Sequence, residues 1–394
     1  MMVPSGPETV IDLKETDLPP DGPTSIPVPD SSAASPGASP GPSPVRAPLP
    51  AKYDALRGRR ILVTGAAGFI GGALFRRLAA AGLDVTGTAW HADEVARLRA
   101  DGLRAERLDL FSDDGFAGAV AGMDMVFHVA AMFQETEYDE AAYLKVNRDG
   151  ALRLARDAAA AGVRRFVHCS TVGVHGAVKE IPATETTPFN PMDEYHRTKL
   201  AGELAVLDWA KGLPPEEAPG GMTVVANRPA MVYGPGDMRM LKLFRQVLSG
   251  RFVMVGSGRT LAHLGHVDDQ VTSFLDCAVA SREAAHLEAF NIASGEPLSL
   301  NELVRIVAEE GGVAVPRLRV PVAPVWAAGA VCEALWAPFG ARPPLFRRRV
   351  GFFTHDRAFD LTKARERLGY VSAVPHREGI RGTIAWYRAK GLVG

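Results

Sequence analysis

From residue 57 onward the chain alternates short apolar runs with longer stretches in which Ala and Leu recur among Arg, Asp and Glu. Residues 60–63, 85–90, 104–110, 125–129, 165–169 and 224–228 each read as a strand, and 73–81, just after the first of them, reads as a helix. Strands that are apolar along their whole length are covered on both faces, and helices between them supply the cover. The pattern therefore predicts an α/β fold built on a doubly wound parallel sheet. In such a sheet, ligands gather at the C-terminal ends of the strands.

Two stretches break the pattern. Residues 1–50 are dense in Pro, Ser, Gly and Ala, show no hydrophobic period and bury too little to offset their ordering entropy, so a disordered tail is expected over 1–52. The tail lacks the basic start and apolar core of a secretory signal, and Glu8, Asp12, Glu15 and Asp17 argue against a mitochondrial presequence. Residues 320–340 are apolar apart from Glu333 and are interrupted by Pro321, Pro324 and Pro338, which is too broken to span a bilayer. Either an apolar pocket wall or a shallow peripheral membrane contact fits them.

Composition narrows the classes. A net charge of −1 leaves no nucleic-acid footprint. Cys169, Cys277 and Cys332 lack metal-type spacing, so no metal site is expected, and their scatter suits a reducing, cytoplasmic compartment. The remaining chain of about 340 residues is long enough for one large domain with a second lobe.

The chemistry begins where the first strand runs into Thr64-Gly65-Ala66-Ala67-Gly68-Phe69-Ile70-Gly71 and then a helix. A strand pivoting on glycines into a helix N-terminus is a dinucleotide-binding turn, because backbone amides and the helix dipole receive the pyrophosphate. A Rossmann-type domain over 53–250 is expected, interleaved with a smaller, mostly C-terminal substrate-binding lobe over 251–394. After the third strand, Asp109-Leu110 offers a carboxylate for the adenine amino group or, equally, a turn cap. After the fourth, the small residues of His128-Val129-Ala130-Ala131 let a cofactor lie flat on the strand ends. After the fifth comes Ser170-Thr171, and further on Tyr195-His196-Arg197-Thr198-Lys199. On a helix, Tyr195 and Lys199 share one face. A phenol titrates too high to serve as a base at neutral pH unless a cation favours the phenolate. Lys199 would supply that charge and donate to the nicotinamide ribose, while Thr171, ahead of Ser170, would hold the substrate oxygen during hydride transfer.

These blocks, with Asn147 and Gly150, the 169–176 segment, and Arg228-Pro229-Ala230-Met231-Val232-Tyr233-Gly234-Pro235-Gly236-Asp237, resemble the extended short-chain dehydrogenase/reductase superfamily over about residues 57–394. The resemblance implies that Tyr195 is the acid/base, Lys199 its activator, Thr171 the substrate-oxygen donor and Asn147 a support for the proton relay, with Pro229 against the nicotinamide. Nucleotide-sugar members of that superfamily usually carry Asn where this chain has Met231, and a diphosphate-clamping Arg where it has Ala262. Residues 322–336, the 343–349 and 359–370 blocks, and Glu378 to Trp386 are similar instead to the C-terminal lobe of 3β-hydroxysteroid dehydrogenase-like proteins. An apolar lobe suits a hydrophobic substrate, and Trp326, Trp336, Phe339, Phe352 and Phe353 fit either its wall or ordinary core.

At the end of the second strand, Ala89-Trp90-His91-Ala92 offers neither the carboxylate that selects NAD nor the Arg that selects NADP, so the cofactor stays open between the two. The expected activity is hydride transfer between NAD(P) and a secondary alcohol or ketone of a sterol-like, lipid or polyketide-like substrate. A nucleotide-sugar epimerase or dehydratase is the alternative, and a non-catalytic dinucleotide sensor is a third reading. A homodimer is left open as the assembly.

Overall fold

Alternation along each strand divides the core. Ile61 and Val63 of the first strand enter one apolar cluster and Leu62 the other, and Phe127 and Val126, Val167 and Phe166, and Val225 and Val224 split in the same way. A sheet patterned so needs cover on both sides. The computed structural model describes residues 48–112, 114–133, 138–216, 218–336 and 347–394. In it β1 (Arg60–Thr64), β2 (Asp84–Ala89), β3 (Ala105–Arg107), β4 (Met125–His128), β5 (Arg165–Cys169) and β6 (Thr223–Pro229) follow the predicted runs, and a seventh strand, Ala289–Ile292, pairs with β6. The sheet order is seventh strand, β6, β5, β4, β1, β2, β3, parallel throughout.

On one face pack α1 (Phe69–Ala80), α2 (Ala92–Ala100) and the helix Val267–Val279. On the other lie α3 (Phe116–Val120), α4 (Glu140–Leu144), α5 (Ala151–Ala160) and α6 (Glu194–Ala210). The strand order runs outward from β1 in one direction and from β4 in the other. The crevice this leaves lies at the C-terminal ends of β1 and β4, where Thr64 pairs with His128.

The C-terminal part returns to the sheet before it departs from it, since the seventh strand and Val267–Val279 both come from residues beyond 250. Short two-stranded pairs follow: Leu264–His266 with Met231–Tyr233, Leu298–Ser299 with Leu261–Ala262, and Arg319–Val320 with Met254–Val255.

The first described residues, 48–52, belong to the stretch expected to be tail. Ala51–Leu56 forms a 3-10 turn whose Tyr53 hydroxyl and Lys52 ammonium both reach Asp276 Oδ1 at 2.7 Å. The rest of the tail expected to be disordered lies outside the described residues, as do Pro338, Phe339, Pro343, Pro344 and Leu345. Val322–Trp336 is a helix, with Pro324 in its first turn, where a missing N–H costs nothing. It is not ordinary core, because Trp326 is 48% exposed and Val331, Leu335 and Trp336 are exposed as well. Among the described residues no helix is long and apolar enough to cross a membrane.

Candidate active site

The glycine turn lies in close contact with the backbone at the end of β4. Gly65 has φ +69°, and a Cβ there would lie 2.8 Å from Ala130 Cα. Thr64 Oγ1 accepts from the amides of Val129 and Ala130 at 3.1 Å each and bonds His128 Nδ1 at 2.9 Å, which ties the end of β4 against the turn. Gly68 caps α1 in an extended conformation and has no side chain, so no side-chain oxygen competes for the first-turn amides around Phe69 and Ile70. Uncapped amides at a positive dipole end fit a pyrophosphate, and the glycines let the turn pack directly on the end of β4.

At the other end of the crevice, Trp90 packs against His91, Phe111 and the Tyr138 ring at centroid distances of 4.6, 5.6 and 6.4 Å. Both carboxylate oxygens of Asp109 are engaged: Oδ1 accepts from Phe111 N at 3.0 Å and Oδ2 from Arg107 Nη2 at 3.2 Å. Asp109 thus caps its own turn, while the neighbouring Leu110 is buried in the core.

Asp193 caps α6 by accepting from His196 N at 2.8 Å, and the helix then carries Tyr195 and Lys199 one turn apart. The Phe133 ring stands edge-on to Tyr195 with centroids 4.7 Å apart. Thr171 Oγ1 accepts from Gly173 N at 3.0 Å, which leaves its own proton to donate, and the residue is half-buried. Ser170 faces inward, with its hydroxyl buried and without a partner among the described residues. Of the two hydroxyls, Thr171 is therefore the accessible one. Asn147 sits in a π-helical turn, Lys145–Gly150, where its Oδ1 accepts from Met132 N at 2.8 Å and its Nδ2 donates to Met132 O and Thr198 Oγ1. Its carboxamide reaches α6 through Thr198. Pro229 is buried at the end of β6, opposite Ile292 of the seventh strand.

Charge around Tyr195 is arranged differently from the expectation. Burial pushes the phenol up, Cys169 and Asp193 add to that, and the cation that opposes them is Arg239 rather than Lys199. Lys199 is itself buried and held below the usual lysine range by desolvation, with Cys169 and Glu203 working against the shift. Its Nζ has no hydrogen-bond partner among the described residues, which leaves it available to a ribose hydroxyl. One turn further on, the carboxylate of Glu203 grips Arg228 through both oxygens, one of them at 2.9 Å from Nε, with both side chains buried. Arg228 Nη1 donates to His175 Nε2 at 3.2 Å, and His175 Nδ1 donates to Thr187 O at 3.0 Å. Desolvation first and Arg228 second keep that imidazole neutral.

The profile of the NAD-dependent epimerase/dehydratase family matches residues 61–293. The chain belongs to that family. A 2-alkyl-3-oxoalkanoate reductase of Stenotrophomonas maltophilia is 30% identical over 82% of this chain and 97% of its own length. A UDP-glucose 4-epimerase of Mycolicibacterium smegmatis is 32% identical over 84% and 99%. Among solved structures, MoeE5 in complex with UDP-glucose and NAD is 28% identical, with a TM-score of 0.63 over 84% of this chain and 99% of that one. Family membership makes the protein an NAD(P)-dependent oxidoreductase of the extended short-chain dehydrogenase/reductase superfamily.

The fold brings three further charged residues of this epimerase/dehydratase-family enzyme to the site, Glu203, Arg239 and Arg357. Glu203 could have been found, since it continues the spacing of Tyr195 and Lys199 by one more turn. Arg239 follows the Val232-to-Asp237 block without any pattern, and only the fold brings it to Tyr195. Arg357 is also a product of the fold. Its backbone bridges Ala262 in parallel, its guanidinium has the carbonyl of His355 as partner at 3.3 Å, and its basicity is reduced by burial alone. A mostly buried cation thus stands beside the position where the diphosphate-clamping Arg is missing.

Proposed function

We infer that this enzyme interconverts a secondary alcohol and a ketone on a hydrophobic, sterol-like, lipid or polyketide-like substrate, in the manner of 3β-hydroxysteroid dehydrogenase-like proteins. The observation that carries the reading is the apolar setting of the reacting phenol: the edge of Phe133 lies against Tyr195, and Met231 stands where a sugar nucleotide would need a hydrogen-bonding side chain. Phe69, Ile70, Ala130, Pro229 and Lys199 would hold the dinucleotide, which supplies or accepts the hydride when bound. Tyr195 moves the proton on and off the substrate oxygen, and the Thr171 hydroxyl donates to the same oxygen and fixes its position. Lys199 keeps a positive charge beneath the phenol, and Glu203 supports that charge from the next turn. The carbonyl reductase among the relatives agrees with this chemistry.

A second reading has its own support. Arg357 beside Ala262, together with the epimerase relative and the UDP-glucose complex, favours a nucleotide sugar. A sensor without catalysis is disfavoured, because Tyr195 and Lys199 are both retained. The end of β2 carries no carboxylate for a ribose 2′-hydroxyl, and Arg107 is engaged with Trp90 O and Asp109, so NAD and NADP are tested side by side. The deciding experiment follows nicotinamide absorbance with both cofactors against steroids, long-chain β-hydroxy acids and aryl alcohols, alongside calorimetry with UDP- and dTDP-sugars. Turnover of an apolar alcohol is expected. Sugar-nucleotide binding without such turnover replaces the first reading by the second.

A further inference from the structure

A second cleft, of about 420 Å³, opens on the C-terminal part of the chain. It runs along Leu261–Ala262 and the segment 357–361, which meet where Arg357 N donates to Leu261 O at 2.9 Å and His263 N donates to Arg357 O at 2.8 Å. Successive side chains of an extended segment point to opposite faces. Leu261 and His263 line the cleft and Ala262 does not, so the cleft lies on the face turned away from the position of the missing diphosphate-clamping Arg. Neither Thr171, Tyr195, Lys199 nor the glycine turn borders it. One layer of side chains separates it from the crevice, since Phe359 at its floor packs with Val172 and Ala230, the chain neighbours of Thr171 and Pro229.

The walls are mostly apolar, from Ile181, Pro182, Pro297 and Leu361, and the Phe359 ring is stacked on that of His263 at 6.4 Å and 14°. His263 is fully engaged. Its Nδ1 accepts from Phe359 N at 3.2 Å, which leaves the proton on Nε2 to donate to Gly295 O at 2.9 Å, and burial keeps the ring neutral. The charged side chains on the rim differ in their commitments. Asp360 Oδ1 accepts from Thr362 N at 2.7 Å, so that carboxylate caps its own turn. Glu296 is exposed and stands on the His263 side, where its charge acts on the imidazole. Arg365 stands on the Asp360 side, is exposed, and has no hydrogen-bond or ion-pair partner for its guanidinium among the described residues. A guanidinium is weakly hydrated and matches a carboxylate through two parallel hydrogen bonds, which makes it the rim group that most readily exchanges water for a ligand. An apolar hollow of this volume with one such group at its edge has the make-up of a small-molecule site.

We propose that this cleft is a second binding site, separate from that of the reacting phenol, for a small aromatic carboxylate whose ring lies against Leu261 and Phe359 and whose carboxylate is held by Arg365. The site is independent of the alcohol–ketone reading, because it shares no residue with the crevice and is filled whether or not the crevice is occupied. Arg365 selects against neutral esters of the same ring system, and Glu296 and Asp360 select against amines placed at the carboxylate's end no more than water does, since one is solvated and the other is turned to its own backbone.

The test uses the full-length protein, alone and saturated with NAD or NADP. Calorimetry measures binding of 1-naphthoate and of its methyl ester to the wild type, Arg365→Gln, Arg365→Lys and Ile181→Asp. The wild type is expected to bind the acid about 10-fold more tightly than the ester, the low end of the worth of a charge-assisted hydrogen bond because the guanidinium is exposed, and to do so equally with the dinucleotide present. Arg365→Gln should bind acid and ester alike, and Arg365→Lys should restore part of the ratio. Ile181→Asp puts a charge at an exposed point of the wall and should weaken both ligands. No uptake at millimolar naphthoate overturns the proposal, as does an acid-to-ester ratio that survives in Arg365→Gln. Uptake that the dinucleotide abolishes, or that Ile181→Asp leaves untouched, also overturns it, because the probe then lies in the crevice or elsewhere. If Arg365→Gln does not fold, the Lys variant and Ile181→Asp decide.

Discussion

Tyr195 faces opposing demands. A phenol must lose its proton to act as a base, yet burial and the nearby Cys169 and Asp193 raise its proton affinity, and Arg239 is the side chain that counters them in the protein alone. Cys169, pushed up to about 11 by burial, opposes the phenolate only at the high pH where the thiol itself ionises, and at neutral pH burial and Asp193 remain. In this setting Tyr195 is well suited to giving a proton to a developing alkoxide, and taking one relies on the pull of Arg239. Tyr195→Phe keeps the ring that packs on Phe133 and removes only the proton. Turnover is expected to fall by at least about 100-fold, the usual worth of a positioned acid or base, with dinucleotide affinity unchanged. Steady-state rates and a nucleotide titration check this, and a variant that keeps its rate places the acid/base elsewhere. The Tyr195 and Lys199 pair was legible in the sequence because helical spacing alone puts the two on one face. Arg239 was not, because it reaches the same site from a turn beyond β6, and no local period records that meeting.

At the scale of elements, α6 does more than present two side chains. Glu203 reaches from it to Arg228 on β6, and Arg228 reaches on to His175 in the 3-10 turn, Val172–His175, that Thr171 caps. One buried chain of polar contacts therefore joins the helix of Tyr195 to the segment of Thr171. Exposure of the two side chains is 1% for Glu203 and 3% for Arg228, so breaking the pair strands a charge in a dry interior. Glu203→Gln is expected to cost about 3–5 kcal/mol in urea unfolding, and Glu203→Leu combined with Arg228→Met to cost less than that single change. A single variant within about 1 kcal/mol of wild type would show that water reaches the pair. The strands, α1 and the glycine turn were all readable from apolar runs and punctuation, since each is a local preference. The ties between elements link residues 25 and 53 positions apart and leave no trace in either segment. Asp109 shows the converse: a residue whose sequence position allowed two roles is found capping its own turn.

Over the whole molecule, the centre of the sheet holds titratable groups that are held uncharged. His128 on β4 and His168 on β5 are register partners with rings 5.5 Å apart, both buried, and neither ring nitrogen of His168 has a partner among the described residues. Desolvation first, then the charge of Lys199, lowers His128 to about 3 and His168 well below the ordinary value of 6.5. Burial likewise depresses His175, His263, His266 and His286, the last to about 4. Below about 6.5 the unfolded chain takes up protons that the folded one refuses. The stability these groups contribute is complete above that value and is lost as pH falls toward the folded values. Each such histidine adds about 1.4 kcal/mol per pH unit to the slope. His168→Phe, a ring of similar size with no nitrogen to desolvate, is expected to leave stability near neutral pH within about 1 kcal/mol of wild type and to flatten the acid slope by about one proton. Urea midpoints measured from neutral pH down to the onset of acid unfolding check both parts, and an unchanged slope would mean that the imidazole is hydrated where it lies between β4 and Lys199.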